Sequence, residues 1–307
     1  NTKSMRTKIL YFVILISSYV SYSQQDAQYT QYMYNTINVN PAYAGSRGVL
    51  SVFGLYRTQW VGLDGAPKTA AFSVNSPIEN SNLGVGLSFV NDQIGPTSEN
   101  IISLDVSYSI PTSETYKLSF GVKGTANLFN LDRAMLNPET DGDLLLQDLK
   151  NDFSPNVGAG VYFHSDKFYL GASVPGILET KRYADNERAI YKERMNMYFI
   201  GGYVFDLSPT LKFKPAFLTK MVQGAPLQVD VSGNFMFNDK FVLGAAWRWD
   251  AAMSAMAGFQ INNGLYLGYG YDLETTKLRK YNSGSHEVFL RYELFSKPEK
   301  IVSPRFF

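Results

Sequence analysis

The side chains most often used for catalysis are scarce in this chain. Its 307 residues include two histidines, His164 and His286, and no cysteine. Without a thiol, disulfides, thiolate metal sites, thiol catalysis and acylation through cysteine are excluded. His164 falls at the end of a strand-like segment beside a tight turn, and His286 at the start of the last such segment. Neither has a convincing serine partner for a Ser–His hydrolase, and both are expected to face an interface or water. No histidines are paired at metal-ligand spacing. Asp141 and Asp143 around Gly142 resemble part of a calcium loop, but the rest of that pattern is missing, so a solvated loop is the simpler reading. Gly84 with Gly86, and Gly268 with Gly270, lie inside strand-like segments; they are not nucleotide fingerprints but relieve crowding on an inner face. The expectation is a protein that is not an enzyme and uses no cofactor and no metal.

Charged residues say more, because alternation gives them a place. Asp105, Lys123, Asp230, Arg248, Asp272 and Arg291 share the polar face of their segments with Lys117, Lys212, Lys214, Asp250, Glu287 and Glu293. Charges withdrawn from water demand partners, so ion pairs and hydrogen-bonded clusters are expected among them. No individual pair follows from sequence.

The segments that place these charges alternate strictly. Ile102, Leu104, Val106 and Tyr108 oppose Ser103, Asp105, Ser107 and Ser109; Leu118, Phe120, Val122, Ala126 and Leu128 oppose Lys117, Ser119, Lys123, Thr125 and Asn127. Successive side chains of a strand point to opposite faces, so each segment has one apolar and one polar face. Fourteen such segments lie near 48–60, 67–76, 83–92, 98–110, 115–130, 153–164, 167–175, 194–206, 210–220, 226–236, 240–250, 252–262, 264–273 and 285–295. Abundant aromatics (21 Tyr, 21 Phe) and 25 Gly suit strands and turns. Connections after odd strands are often long (131–152, 176–193, 274–284), whereas those after even strands are short. This asymmetry is that of an outer-membrane barrel, with short periplasmic turns and longer outside loops. A soluble β-sandwich, the alternative for the same strands, gives no reason for it. Trp60, Trp247, Tyr269, Tyr271 and Tyr292 fall toward segment ends, as interfacial girdles do. The fold expected is an all-β, antiparallel transmembrane barrel of about fourteen strands.

The ends of the chain divide it further. Met5-Arg6-Thr7-Lys8, the apolar run Ile9 to Ile16, and Ser21 and Ser23 read as a signal peptide cleaved before Gln24. A membrane anchor is the alternative, for which the run is short. Residues 1–23 carry Lys3, Arg6 and Lys8 and no acid, so their removal takes the net charge from +1 to −2, and nothing points to nucleic acid. Residues 24–47, rich in Gln, Asn and Tyr, read as an irregular arm that plugs the barrel or trails as a periplasmic tail. Tyr29, Tyr32, Tyr34 and Tyr43 favour burial. The barrel then covers 48–295, and 296–307 form a short periplasmic tail.

Several stretches resemble one family. QYTQYMYN (28–35) with NVNPAYAGSRG (38–48), GLYRTQWVGLDGAPKT (54–69), SFVNDQIGPTSEN (88–100) and NSGSHEVFLRYEL (282–294) are similar to sequences of the PorP/SprF family of the Bacteroidetes. The resemblance implies an outer-membrane barrel of the type IX secretion system, tied to export or surface attachment of large proteins with a type B C-terminal domain, gliding adhesins among them. It also implies a barrel like that of the FadL-type transporters, with an N-terminal hatch to whose Asn-Pro-Ala element Asn40-Pro41-Ala42 correspond; Tyr43 and Gly45 continue the motif. A channel for small solutes is the competing function. Partners expected are the secreted cargo, other type IX components and outer-membrane lipid. For cargo, the outer connection 176–193 offers Arg182, Tyr183, Arg188 and Tyr191, a mixture suited to a protein interface or simply to a solvated loop. Leu144, Leu145, Leu146 and Leu149 offer a second apolar patch, or a cap on the barrel from inside.

Overall fold

The computed structural model describes residues 34–132, 149–179, 181–182, 191–192 and 194–294. The expected signal peptide, most of the connection 131–152 and the C-terminal tail lie outside the described residues. Fourteen strands form the wall. They are β1 (Leu50–Thr58), β2 (Lys68–Pro77), β3 (Leu83–Ile94), β4 (Thr97–Pro111), β5 (Lys117–Leu131), β6 (Leu149–His164) and β7 (Phe168–Val174). There follow β8 (Asn196–Tyr203, continued by Phe205–Ser208), β9 (Leu211–Val222), β10 (Gln228–Phe237), β11 (Phe241–Arg248), β12 (Ala252–Gln260), β13 (Leu265–Glu274) and β14 (Ser285–Leu294). Each pairs antiparallel with the next, and β14 pairs with β1 from Leu50↔Leu294 to Thr58↔His286. The sheet is therefore a closed barrel. Closure leaves no unpaired edge strand, the condition for a sheet to cross a bilayer.

Burial runs opposite to that of a soluble protein. On β4, Leu104 is 62% exposed while Asp105 is 1% exposed; on β5, Val122 is 61% exposed while Lys123 is 5% exposed. Apolar side chains cover the outside and polar ones line the inside. This is a stable arrangement only if the outside meets lipid.

Turn chemistry at the even-numbered connections follows the sequence. Asn238 and Asp239 both have positive φ (52° and 53°) in the three-residue β10–β11 connection, where the Lys240 N–H donates to the Phe237 carbonyl (3.0 Å) and closes a turn whose twist matches its strands. At this same end of the barrel the outward aromatics meet in pairs. Tyr116 stacks on Phe163 (5.2 Å), Tyr203 meets Phe205 (4.6 Å) and Phe213 meets Phe235 (4.7 Å). Trp247 and Trp249 are exposed at the opposite end. Trp60 lies in the β1–β2 connection, and its ring N–H donates to Glu274 at the end of β13 (3.2 Å).

Residues 34–48 lie on the inner face of the wall. They contain one short helix, α1 (Thr36–Val39), and a 3-10 turn over Pro41–Tyr43. Asn40 starts that turn by accepting the Ala42 N–H on its side-chain oxygen, and Pro41 occupies the first position, where a missing N–H does no harm. Lys181–Arg182 pair with Tyr191–Lys192 as a separate two-stranded ladder.

Candidate functional site

The inner face and the segment 34–48 form one connected set of contacts, which can be followed along the chain. Tyr34 lies against Tyr266 (5.5 Å between centroids) and Phe289 (4.6 Å) on β13 and β14. Its hydroxyl shares a hydrogen bond with that of Tyr266 (3.2 Å), and burial pushes it above the ordinary tyrosine range. Asn35 accepts from Ser73 on β2. The Ile37 carbonyl accepts from Lys123, whose ammonium also bridges to Asp105 (3.0 Å). The Val39 carbonyl accepts from Ser173 on β7 (2.7 Å), and Asn40 donates to the Val161 carbonyl on β6 (3.0 Å). The Ala44 carbonyl accepts from Ser107 on β4, and the Gly45 N–H donates to Asn75 on β2. The circuit ends at Arg47, which is ion-paired with Glu293 on β14. Burial opposes the Arg47 charge, yet Glu293 and Tyr43 together hold its guanidinium above the ordinary value.

This fit requires glycine on the wall. A Cβ at Gly121 would meet the backbone of Pro41 and Ala42; at Gly84, the Ala44 carbonyl; at Gly86, the Ile37 side chain; and at Gly160, the Asn40 side chain. Gly45 itself has φ +68°, and a Cβ there would come within 3.0 Å of Pro77 backbone atoms. Gly84 and Gly86 thus relieve crowding, as their place inside a strand implied. The atoms they admit belong to residues 37 and 44.

The motif residues Asn40, Pro41, Ala42 and Tyr43 are buried at the centre of these contacts, with Tyr43 edge-on to Tyr162 (5.6 Å). Each of the six inward charges has a partner. Asp105 pairs with Lys123, and Arg248 donates to Asp230 (2.7 Å). Asp272 pairs with Arg57 (2.7 Å), which also reaches Glu287 (3.2 Å). Arg291 lies 3.6 Å from Glu293 and over the Tyr266 ring (4.9 Å). Sequence reasoning missed Arg47 and Arg57. On β1 both Phe53 and Leu55, neighbours of Arg57 on the inner face, are apolar, so alternation gave no sign of a buried charge there. Asp250 departs from its expected inward place: it is exposed in the β11–β12 turn with φ 54°. Lys117 is exposed at the rim, and Lys212 pairs with Asp239 at the hairpin end.

Of the candidate partner loop, the backbones of Arg182 and Tyr191 are paired, and Tyr183 and Arg188 lie outside the described residues. His164 differs from expectation: it is buried facing inward, 3.5 Å from the Ser119 hydroxyl and 5.1 Å from the Tyr162 ring. That separation is longer than the nucleophile–base bond of a hydrolase. His286 is hydrogen-bonded to the Tyr269 hydroxyl (2.6 Å).

A closed ring of fourteen antiparallel strands, apolar outside and ion-paired inside, is an outer-membrane β-barrel. The chain belongs to the PorP/SprF family: the family described as type IX secretion system membrane protein PorP/SprF matches residues 21–292. Its setting is therefore the outer membrane and the type IX secretion system. No curated protein matches the chain. Among solved structures it is similar to the outer membrane protein Omp33 of Acinetobacter baumannii, at 8% identity over 80% of this chain and 98% of that one, with a TM-score of 0.49. It is also similar to the monoaromatic hydrocarbon channel CymD, at 10% identity over 85% and 93%, with a TM-score of 0.46. A mutant of the monoaromatic hydrocarbon channel TodX shows 8% identity over 80% and 89%, with a TM-score of 0.48.

Proposed function

We propose that this barrel holds at the cell surface, or helps to export, a large protein delivered by the type IX system, such as a gliding adhesin with a type B C-terminal domain. In this reading residues 24–47 are a plug. Both termini are periplasmic, and the connections 131–152, 176–193 and 274–284 face outside. A single observation carries the reading: the hydrogen-bonded circuit of residues 34–47 across the inner face. A conduit for solutes needs a continuous water path, and a segment tied to β2 through β7 and to β14 obstructs one. The partner is then met by the outer loops and the outer part of the lumen, with Arg182, Tyr183, Arg188 and Tyr191 as one contact set.

Planar-bilayer recording tests the plug. Little conductance is expected from the purified barrel, and large steady openings would favour the solute-channel alternative. Thiol labelling of intact cells tests the orientation, since the chain has no cysteine of its own. Asp141→Cys should label and Asn238→Cys should not; the reverse pattern refutes the topology.

A further inference from the structure

Above residues 38 and 39, toward the odd-numbered connections, the lumen opens into a vestibule. Its wall includes Ile101, Asn127, Asn156 and Tyr198, and Asn38 and Val39 form its floor. β7 ends at Val174, and the chain then turns inward, so that Pro175 covers Gly158 and joins the vestibule wall. Here Asn156 grips the main chain of Leu178 with both ends of its amide: Nδ2 donates to the Leu178 carbonyl and Oδ1 accepts the Leu178 N–H, each at 2.9 Å. Asn40 and Asn75 likewise bond main-chain groups of the lumen.

Two further asparagines of the vestibule have such groups unused. Among the described residues, Asn127, 5% exposed, has no hydrogen-bond partner for Oδ1, and Asn38 has none for Nδ2 or Oδ1. Asn127 faces Ile101 on one side and Ser154 on the other, which makes it a diagonal neighbour of Asn156. A buried amide left unpaired is unfavourable, and its retention calls for a reason. Higher on the same wall Asp92 and Glu99 stand directly opposite each other, and Asp152 stands opposite Phe129. Among the described residues no three acids or histidines converge as a metal site, so this row does not describe an ion-binding cage.

We infer that the vestibule is a docking site for an extended peptide segment entering from outside, whose main-chain amides are clamped by Asn38 and Asn127 in the way Asn156 clamps Leu178. Lys123 and Arg194 line the vestibule beside Asp92 and Glu99, so the clamp reads the main chain of the segment and not the sign of its side-chain charge. The inference rests on the surface-anchoring reading above and specifies how that partner is held.

The test uses the full chain in its own cells, with photoreactive benzoylphenylalanine in place of Ile101. Irradiation should give an adduct that digests to peptides of one secreted protein. The pair Asn38→Leu/Asn127→Leu should abolish the adduct and lower surface retention of that protein roughly tenfold, two ordinary hydrogen bonds' worth of affinity. Heat-modifiable migration should show a barrel as stable as before or more so, because unpaired amides have been replaced by apolar groups. If the leucine pair fails to fold, Asn38→Ser/Asn127→Ser is scored by the same readouts. No adduct, an adduct to lipopolysaccharide, or a peptide adduct indifferent to both pairs overturns the clamp. Deletion of the whole barrel separates the two ideas: if the protein stays on the surface without the barrel, anchoring fails; if it leaves the surface but ignores the asparagine variants, only the clamp fails.

Discussion

The two sides of the lumen are filled in opposite ways. Along β3 to β6, residues 37–44 lie directly on the wall: Gly84 and Gly121 admit their main chain, and Gly86 and Gly160 admit the side chains of Ile37 and Asn40. Along β13, β14 and β1, the wall supplies the bulk itself. Tyr266 and Phe289 stack with Tyr34, Phe53 stacks on Phe289, and Arg57 ties Asp272 to Glu287. Glycines occur on this side too, but Gly258 and Gly268 make room for the rings of Tyr266 and Phe289, not for another backbone. Backbone on glycine is fixed by hydrogen bonds and cannot shift; ring on ring is fixed by packing and has some freedom to adjust. The first side is therefore the one where a single added carbon displaces a whole segment.

Substitutions sharpen this contrast. The largest effect is expected from Arg57→Leu, which strands two buried carboxylates; loss of one partner of a buried ion pair costs about 3–5 kcal/mol. Urea unfolding of the refolded barrel in detergent would measure it, and a loss below about 1 kcal/mol would mean that water, not Arg57, balances Asp272 and Glu287. Next comes Gly121→Val. Its side chain meets the backbone of Pro41 and Ala42, so a cost of about 3 kcal/mol is expected, at the upper end for overpacking. Proteolysis near residue 40 should rise sharply at the same time. Unchanged protection would show that the segment can yield, and the contrast would collapse.

On the outside, Leu104→Arg should cost about 2–4 kcal/mol, as a charge placed against lipid does near the midplane. Equal tolerance of arginine at Leu104 and at the inward neighbour Ser103 would deny that the outer face meets lipid. Gly268→Ala should cost about 1–2 kcal/mol, since a ring and not a backbone must move. The smallest effect belongs to Gly124→Ala. Among the described residues no atom stands within 4 Å of the added carbon, so stability should stay within about 0.5 kcal/mol.

The sequence by itself determined the number of strands, their order and the polarity of each face. Period-two alternation is imposed by the strand backbone, and a wall with lipid outside and polar groups inside must repeat it fourteen times. Hence the limits read from alternation fall within a few residues of those observed: 83–92 against Leu83–Ile94, and 285–295 against Ser285–Leu294. The Asn238-Asp239 turn was legible for a local reason, the tolerance of those residues for positive φ. Tertiary structure alone decided which charges meet. Arg57 and Asp272 are far apart in the chain and come together only because β14, which closes the ring, lies between their strands. It also decided what Gly84, Gly121 and Gly160 are for, because a missing side chain does not say what occupies its place. His164 was misjudged for the same reason: a residue at a strand end looks solvated until the rings of Tyr162 and Tyr169 are seen packed around its end of the lumen. Local pattern fixes the direction in which a side chain points, and only closure of the ring fixes what it meets there.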